Sequence, residues 1–558
     1  MITEELKIYC KNTEEYIDVD GGDTLAGIYA TLHGRLQMVP LCALVNNQEE
    51  DLCYRIYRPH MVEYLDIGSK AGYAAYVRSM CMILYKAITE LFPGSRLMVE
   101  HSIAGGLYCT FKHEAVIPKP AIEALKRRMR EIVDADLPFV RRERLTADVI
   151  DMFDKQGLKD KVRLLKSINR LYTVYYKLGD VIDSFSGPLV PSTGLIQVFD
   201  IVPYHDGMLV LPPDGTNPSQ PAKKINQPKL LQAFTDHIEF NKIIGLGDVG
   251  TLNKVVQDGN APMLINVAEA LHNQAFAKIA EEIAKRYQKG GARCVLIAGP
   301  SSSGKTTSSK RLAIQLVTKH IRPKVIELDN YFVDREHTPR DEKGDFDYES
   351  LYALDLKQFN HDITALLAGE EVPMPTYNFT TGAREYRGNT LRLEQNDILL
   401  MEGIHGLNPE LTKQIPDNQK FRVFVSALST LNIDDHNWID TYDARLLRRI
   451  VRDNRYRGIN AQQTLSRWAS VRRGEEKWIM PFSENADAMF NSSLLFELAV
   501  LKSYAEPLLR QVPVNKPEFA EADRLLKFLS YFEPLDVHNI PSTSLIREFL
   551  GGSAFHYS

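Results

Sequence analysis

The segment Cys294-Val-Leu-Ile-Ala-Gly299-Pro300-Ser301-Ser302-Ser303-Gly304-Lys305-Thr306-Thr307 decides how the chain is read. An apolar run of strand length meets a Gly/Ser-rich turn, and SSKRLAIQLV continues as a helix. That order is the context a phosphate-binding loop requires. Glycines let backbone N–H groups converge on phosphate oxygens, and the helix N-terminus adds a favourable field. Gly299, Pro300, Ser301, Ser302, Ser303, Gly304, Lys305, Thr306 and Thr307 are therefore the candidate nucleotide-binding residues. Lys305 is expected to reach the β- and γ-phosphates and the Thr306 hydroxyl to ligate Mg²⁺, which makes ATP and Mg²⁺ the implied cofactors.

Working outward, RCVLIAG, KVIEL, DILLMEG and FRVFVSA alternate with helical stretches from about residue 290 to 515. Strands alternating with helices imply a parallel sheet, with its ligand crevice at the carboxyl ends of the strands. KVIEL ends at Asp329, placed there to accept a proton from an attacking hydroxyl. DILLMEG ends at Glu402, a second candidate ligand for Mg²⁺, whereas Asp397 at its start reads as a turn residue. Arg445, Arg448, Arg449, Arg452, Arg455 and Arg457 crowd one short segment, and four of them share a helical face. Such an array fits a phosphate clamp, with Arg449 and Arg452 as its catalytic candidates. Asn253-Lys254 precedes the loop and lacks the following Asp of a guanine-reading motif, which argues against a GTPase.

The chain has 558 residues, a length that suggests about three to four domains. Lys and Arg total 67 against 72 Asp and Glu, a net charge of −5, so no global polyanion affinity is implied. There is no apolar run of about eighteen residues and no signal-peptide pattern at the start, so a cytoplasmic protein with no membrane partner is expected. Six cysteines include no CxxC pair, and the Cys109–His113 spacing alone does not make a metal site.

Residues 1–62 read as a ββαββ unit whose last strand is LCYRIYR. Residues 63–220 add a helix over 71–91, a strand pair, a basic helix with Lys126, Arg127, Arg128 and Arg130, and a Pro/Gly-rich ending. Residues 221–289 read as a helical connector and 516–558 as a helix with a docked tail. The fold class expected is multi-domain, with an α+β front followed by an α/β unit.

The loop GPSSSGKTT, LDNYF, DFDYES, PTYNF, the LLMEG strand and the RLLRRIVRD helix together resemble the uridine kinase and phosphoribulokinase family over about residues 290–510. That resemblance implies a P-loop kinase phosphorylating the ribose 5′-hydroxyl of a nucleoside, uridine or cytidine by default. It also implies Asp329 as general base, Asp347 on the ribose hydroxyls, Tyr377 and Arg384 on the nucleoside side, and Arg449 and Arg452 in the lid. Homo-oligomers occur in the family. The sequence departs from the uridine kinases at Gly382, where they carry a histidine, at Ile459, where they carry an arginine, and at Arg467, which takes the place of a glutamine. Arg467 therefore remains a substrate-side candidate and keeps another nucleoside or a phosphosugar open.

The front resembles the threonyl-tRNA synthetases. Residues 1–62 look like their ubiquitin-like TGS domain. AITELFPG, GGLYC and DSFSGPLVPS look like their second additional, editing domain. The editing His-x3-His falls on Arg78 and Met82, and the Cys-x3-His on Phe185 and Leu189, so an editing fold without editing chemistry is expected. His101 and His205 lie nearby as isolated histidines. The alternative from another class is an RNA- or ribosome-associated ATPase switch in which the front binds tRNA, supported by the basic segment 126–144.

Overall fold

The computed structural model describes residues 5–32, 34–111, 117–341, 344–378 and 380–557. Five parallel strands carry the phosphate loop. Their order across the sheet is Arg322–Glu327, Asp397–Glu402, Cys294–Ala298, Lys420–Ser426 and Ala488–Asn491. Cys294–Ala298 is central and wholly buried, as a strand covered on both faces must be. The fifth strand, Ala488–Asn491, has no counterpart in the sequence reading, being only four residues long.

One face of the sheet packs on the 28-residue helix Ala261–Gln288 and on Lys305–Val317, through Phe276, Ile283, Leu312 and Leu316. The helix read as a connector thus shares a core with the sheet. Its Glu269 also pairs with Arg311 at 3.2 Å. The other face packs on Leu356–Leu367, with Phe359, Ile363 and Leu366 buried against Leu296 and Met401.

Among the described residues the front comprises three sheets. In the first, Met61–Leu65 lies between Glu5–Cys10 and Cys42–Val45, with Glu15–Asp20 and Gln48–Glu50 at the edges. LCYRIYR is not a strand. It crosses the helix Leu25–Thr31 as a loop, joined by one bridge between Thr24 and Arg55 and by Tyr54 O accepting from Leu25 N. The pairing strand comes later, at Met61–Leu65, which runs past residue 62. In the second sheet, Leu97–Ile103 and Gly106–Phe111 continue into the hairpin Asp200–Tyr204 and Gly207–Leu211. That hairpin lies inside the Pro/Gly-rich stretch that had suggested only a domain end. The third sheet orders Val181–Asp183, Tyr172–Leu178 and Val140–Leu145. Helix Lys70–Leu91 is buried along most of its length between the sheets. It begins where Ser69 caps the Gly72 N–H.

Part of the basic helix, Lys119–Asp134, is engaged internally. Lys126 pairs with Asp200, Arg128 with Glu90 and Glu131, and Arg130 lies over the Phe199 ring. Cys109 is buried in its sheet, and His113 lies outside the described residues. Among the described residues no helix is long and apolar enough to cross a membrane.

Front and rear are joined by the segment Ile433–Trp438, which precedes helix Thr441–Arg457. Lys161 sits between Asp183 and Asp434 at 2.9 Å from each, and His436 Nδ1 lies 2.7 Å from Asp183. Asp435 N donates to Asp160. All of these acids are nearly or wholly buried, so the ions are satisfied by one another rather than by solvent.

Candidate active site

The loop after Cys294–Ala298 turns through Ser302 at φ 58° and Gly304 at φ 85°, left-handed positions that glycine tolerates best. At Gly299 a Cβ would stand 2.0 Å from the Val425 carbonyl oxygen, so a side chain there would force the neighbouring strand away. Helix Lys305–Val317 starts immediately, aiming its N-terminus at the cleft.

The loop carbonyls are held from behind. Arg445 Nη1 donates to Ser301 O at 2.9 Å, and Arg448 Nη1 to Ser302 O at 3.4 Å. Arg445 forms a two-point pair with Glu475 at 2.7 and 2.8 Å, and Arg448 pairs with Glu497. Glu475 also accepts from Ser301 N. These arginines are buried scaffold, which corrects the reading of the array as one clamp face. Their helical spacing was right, but each has a buried acid from a later helix.

Arg449, Arg452 and Arg457 are the part of the array that remains at the cleft. They share the single carboxylate of Asp453, at 3.3, 3.0 and 3.3 Å. Arg449 Nη1 also donates to Ser301 Oγ at 2.8 Å. Partial burial, and then the Arg452 and Arg449 guanidiniums, lower the Arg457 pKa to about 10. Three guanidiniums on one carboxylate favour a polyanion.

Facing them, the carboxyl ends of the strands bring acids around Lys305. Thr306 Oγ1 donates to Glu402 Oε2 across 3.4 Å. Burial pushes Glu402 up to about 8 against the pull of Lys305, with Asp329 and Glu327 adding to the rise. Asp329 follows its strand in the short turn Leu328–Tyr331, and its pKa is likewise raised by burial and restrained by Lys305. The hard oxygens of Thr306 and Glu402 suit Mg²⁺, which keeps several waters and phosphate oxygens as its other ligands. Among the described residues no group of three or more His, Cys, Asp or Glu side chains that could hold a metal ion forms.

Of the acceptor-side residues, Tyr377 is tied to the Asp329 segment, its N–H donating to Asn330 Oδ1 at 3.1 Å. Asp347 is half-buried in the DFDYES loop, its N–H donating to Pro339 O. Arg384 is engaged with Asp355 at 2.9 Å, the residue that caps helix Leu356–Leu367. Arg467 is exposed on helix Ala461–Trp478, outside the hydrogen-bonded set around the loop among the described residues.

Two acids escaped the sequence reading. Glu349, two residues after Asp347, is raised to about 7 by burial and by Glu475, with Arg449 and Lys305 opposing. Gly474 makes room for it, since a Cβ there would lie 2.3 Å from that of Glu349. The i, i+2 spacing in DFDYES was the available signal. Glu548 is the other. Its Oε2 accepts from Thr307 N at 3.1 Å and Thr307 Oγ1 at 2.7 Å, and Tyr557 lies 3.0 Å from the same hydroxyl. Nothing local in the tail points to the loop.

Comparison with known proteins adds the decisive observation. Residues 294–495 match the Phosphoribulokinase / Uridine kinase family. This region, with its loop and parallel sheet, is a P-loop kinase region. The front matches "Threonine--tRNA ligase" of Carboxydothermus hydrogenoformans, 28% identical over 32% of this chain and 28% of the ligase. It also matches that of Clostridium kluyveri, 30% identical over 34% of this chain and 30% of the ligase. The chain thus spans under a third of the curated relatives it matches. Among solved structures, a protein described as a fructose transport system kinase from Silicibacter sp. TM1040 aligns at 19% identity with a TM-score of 0.30, over 38% of this chain and 98% of its own. D-glycerate 3-kinase from Cryptococcus neoformans aligns at 11% identity with a TM-score of 0.21, over 46% and 87%.

Proposed function

We propose that the chain is an ATP- and Mg²⁺-dependent kinase that phosphorylates the ribose 5′-hydroxyl of a nucleoside, with uridine the first candidate. The observation that carries this reading is the meeting of Asp329 and Glu402 on Lys305 at the carboxyl ends of adjacent strands. The loop amides and Lys305 hold the phosphates, while Arg449 and Arg452 stabilise charge on the moving phosphoryl group. Thr306 and Glu402 would hold Mg²⁺, which would supply neutralisation of the phosphate charge. Asp329 takes the hydroxyl proton as that oxygen bonds the γ-phosphorus; the bond to the β-γ bridging oxygen breaks and ADP leaves. Asp347 and Tyr377 form the acceptor side.

The front is proposed to carry no editing chemistry. Arg78, Met82, Phe185 and Leu189 stand where that chemistry needs histidines and a cysteine, and none of them replaces such a group at the same task. The pairing of Lys126 and Arg128 with acids leaves the basic segment with less free charge for an RNA than its sequence suggests. The test is ADP release with ATP over a panel of nucleosides and phosphosugars, in the wild-type chain and in Asp329→Asn. Acceptor-dependent turnover that falls by about 10²–10⁴ in the variant is expected. ADP release without any acceptor, equal in the variant, would overturn the reading. Turnover with a phosphosugar alone would move the acceptor class and leave the base in place.

A further inference from the structure

A cavity of about 280 Å³ lies away from the phosphate loop, where the front sheets, segment Ile433–Trp438, helix Ala461–Trp478 and the tail helix Phe519–Leu529 meet. Its volume is at the small end of that of small-molecule sites. Helix Lys70–Leu91 forms one wall with Ala74 and Arg78, while Trp438, Asp440 and Arg472 face them.

Arg78 sets the chemistry. It is 9% exposed, in the middle of a buried helix. Its Nε donates to Pro188 O at 3.1 Å, but its Nη2 has no hydrogen-bond partner. Among the described residues no carboxylate lies within ion-pair distance of it, and burial lowers its pKa despite the pull of Glu49. The other cations of the cavity have carboxylate partners: Lys70 pairs with Glu521, and Arg524 with Asp443 and Glu521. Arg472 lies over the Tyr442 ring and pairs with Glu476. A buried guanidinium that lines a cavity and has no carboxylate in contact calls for an oxyanion partner.

We propose that this cavity is a second ligand site. It would take a small molecule that presents a carboxylate or phosphate to Arg78 and an apolar or aromatic body to Trp438. Occupancy has a direct route to the kinase site. Asp440 caps helix Thr441–Arg457, and one turn on, Arg445 holds the Ser301 carbonyl of the phosphate loop. Any bias that a ligand here exerts on ATP affinity would be returned by ATP in the same factor.

Two probes isolate the chemistry: benzoate and phenyl phosphate carry different oxyanions on one apolar body, and inorganic phosphate lacks that body. Each is titrated to about 10 mM into the full chain while tryptophan fluorescence is followed. Saturable quenching by benzoate or phenyl phosphate is expected, absent in Trp438→Phe and retained in Lys305→Ala. Arg78→Gln should weaken it at least about tenfold, the loss of a charged hydrogen-bonded pair. Ala74→Phe, which fills the cavity without touching charge, should do the same and decides the matter if Arg78→Gln does not fold. Which probe binds separates carboxylate from phosphate ligands. No response to either aromatic probe, a response unchanged in both cavity variants, or one lost with Lys305→Ala would overturn the proposal.

Discussion

Lys161 and Lys305 both sit among acids, and their surroundings differ. Lys161, 1% exposed, is bonded to Asp183 and Asp434 at the junction of front and rear. Burial opposes its charge, but the carboxylates outweigh burial; its pKa is raised, and that of Asp183 is lowered by Lys161 and His436 against its own burial. Lys305 instead makes a 3.3 Å bond to the Pro300 carbonyl while Glu402, Asp329 and Glu349 around it are all pushed toward their neutral forms. Burial raises the Asp434 pKa in the first cluster too, but Lys161, Asp183, Asp434 and His436 each touch an opposite charge there. The second consists of groups whose protonation a phosphate-bound cation would reorganise, which is the signature of a working site.

The comparison breaks most sharply at Lys161. Lys161→Met leaves Asp183 and Asp434 buried without their counter-ion and should cost about 3–5 kcal/mol. A urea unfolding curve checks it, and a midpoint equal to wild type would show the junction to be less dry than its burial implies. Lys305→Met should do the reverse. Its expected cost is turnover, about 10²–10³, with stability held within about 1 kcal/mol. Equal unfolding losses in the two variants would erase the distinction.

A finer test uses the raised acids. A folded pKa of about 8 for Glu402 and about 7 for Glu349 exceeds the unfolded value near 4.3. Their contribution to stability is therefore full below about pH 4 and is lost as pH rises through the folded pKa values. Metal–nucleotide binding near pH 7 must drive Glu402 to its carboxylate, releasing up to about one proton. Calorimetry in buffers of different ionisation enthalpy measures that count. Glu402→Gln should abolish most of it, and a count of zero in the wild-type chain would remove Glu402 from the metal.

How much of this was legible in sequence depends on how local each constraint is. The phosphate loop was readable because its geometry is written in consecutive residues, from the buried strand through Gly304 to Thr306. Asp329 and Glu402 followed from strand ends. The arginine helix was half-readable: spacing put Arg445 and Arg448 on one face, but their partners Glu475 and Glu497 lie 30 and 49 residues on. LCYRIYR alternated like a strand, yet tertiary pairing went to Met61–Leu65. Glu548 is the extreme case, meeting Thr307 across 241 residues.

That contact supports the smallest effect expected. Thr307 follows Thr306, the proposed Mg²⁺ ligand, in the first turn of helix Lys305–Val317, so its N–H is one of the donors without a helical partner at that helix end. Glu548 already accepts from that N–H and lies near enough to help raise Glu402. Its carboxylate competes with the phosphates for the donor and repels them. Leu545, Phe549 and Leu550 anchor the tail in the core, so removing the charge need not release the segment. Glu548→Gln keeps the side chain's shape and should lower KM for ATP about three- to tenfold, a like-charge term of roughly 1 kcal/mol, with kcat little changed. Because the term is electrostatic, the gap between variant and wild type should narrow as salt rises. A higher KM in the variant would mean instead that the tail carboxylate orders the loop for its nucleotide.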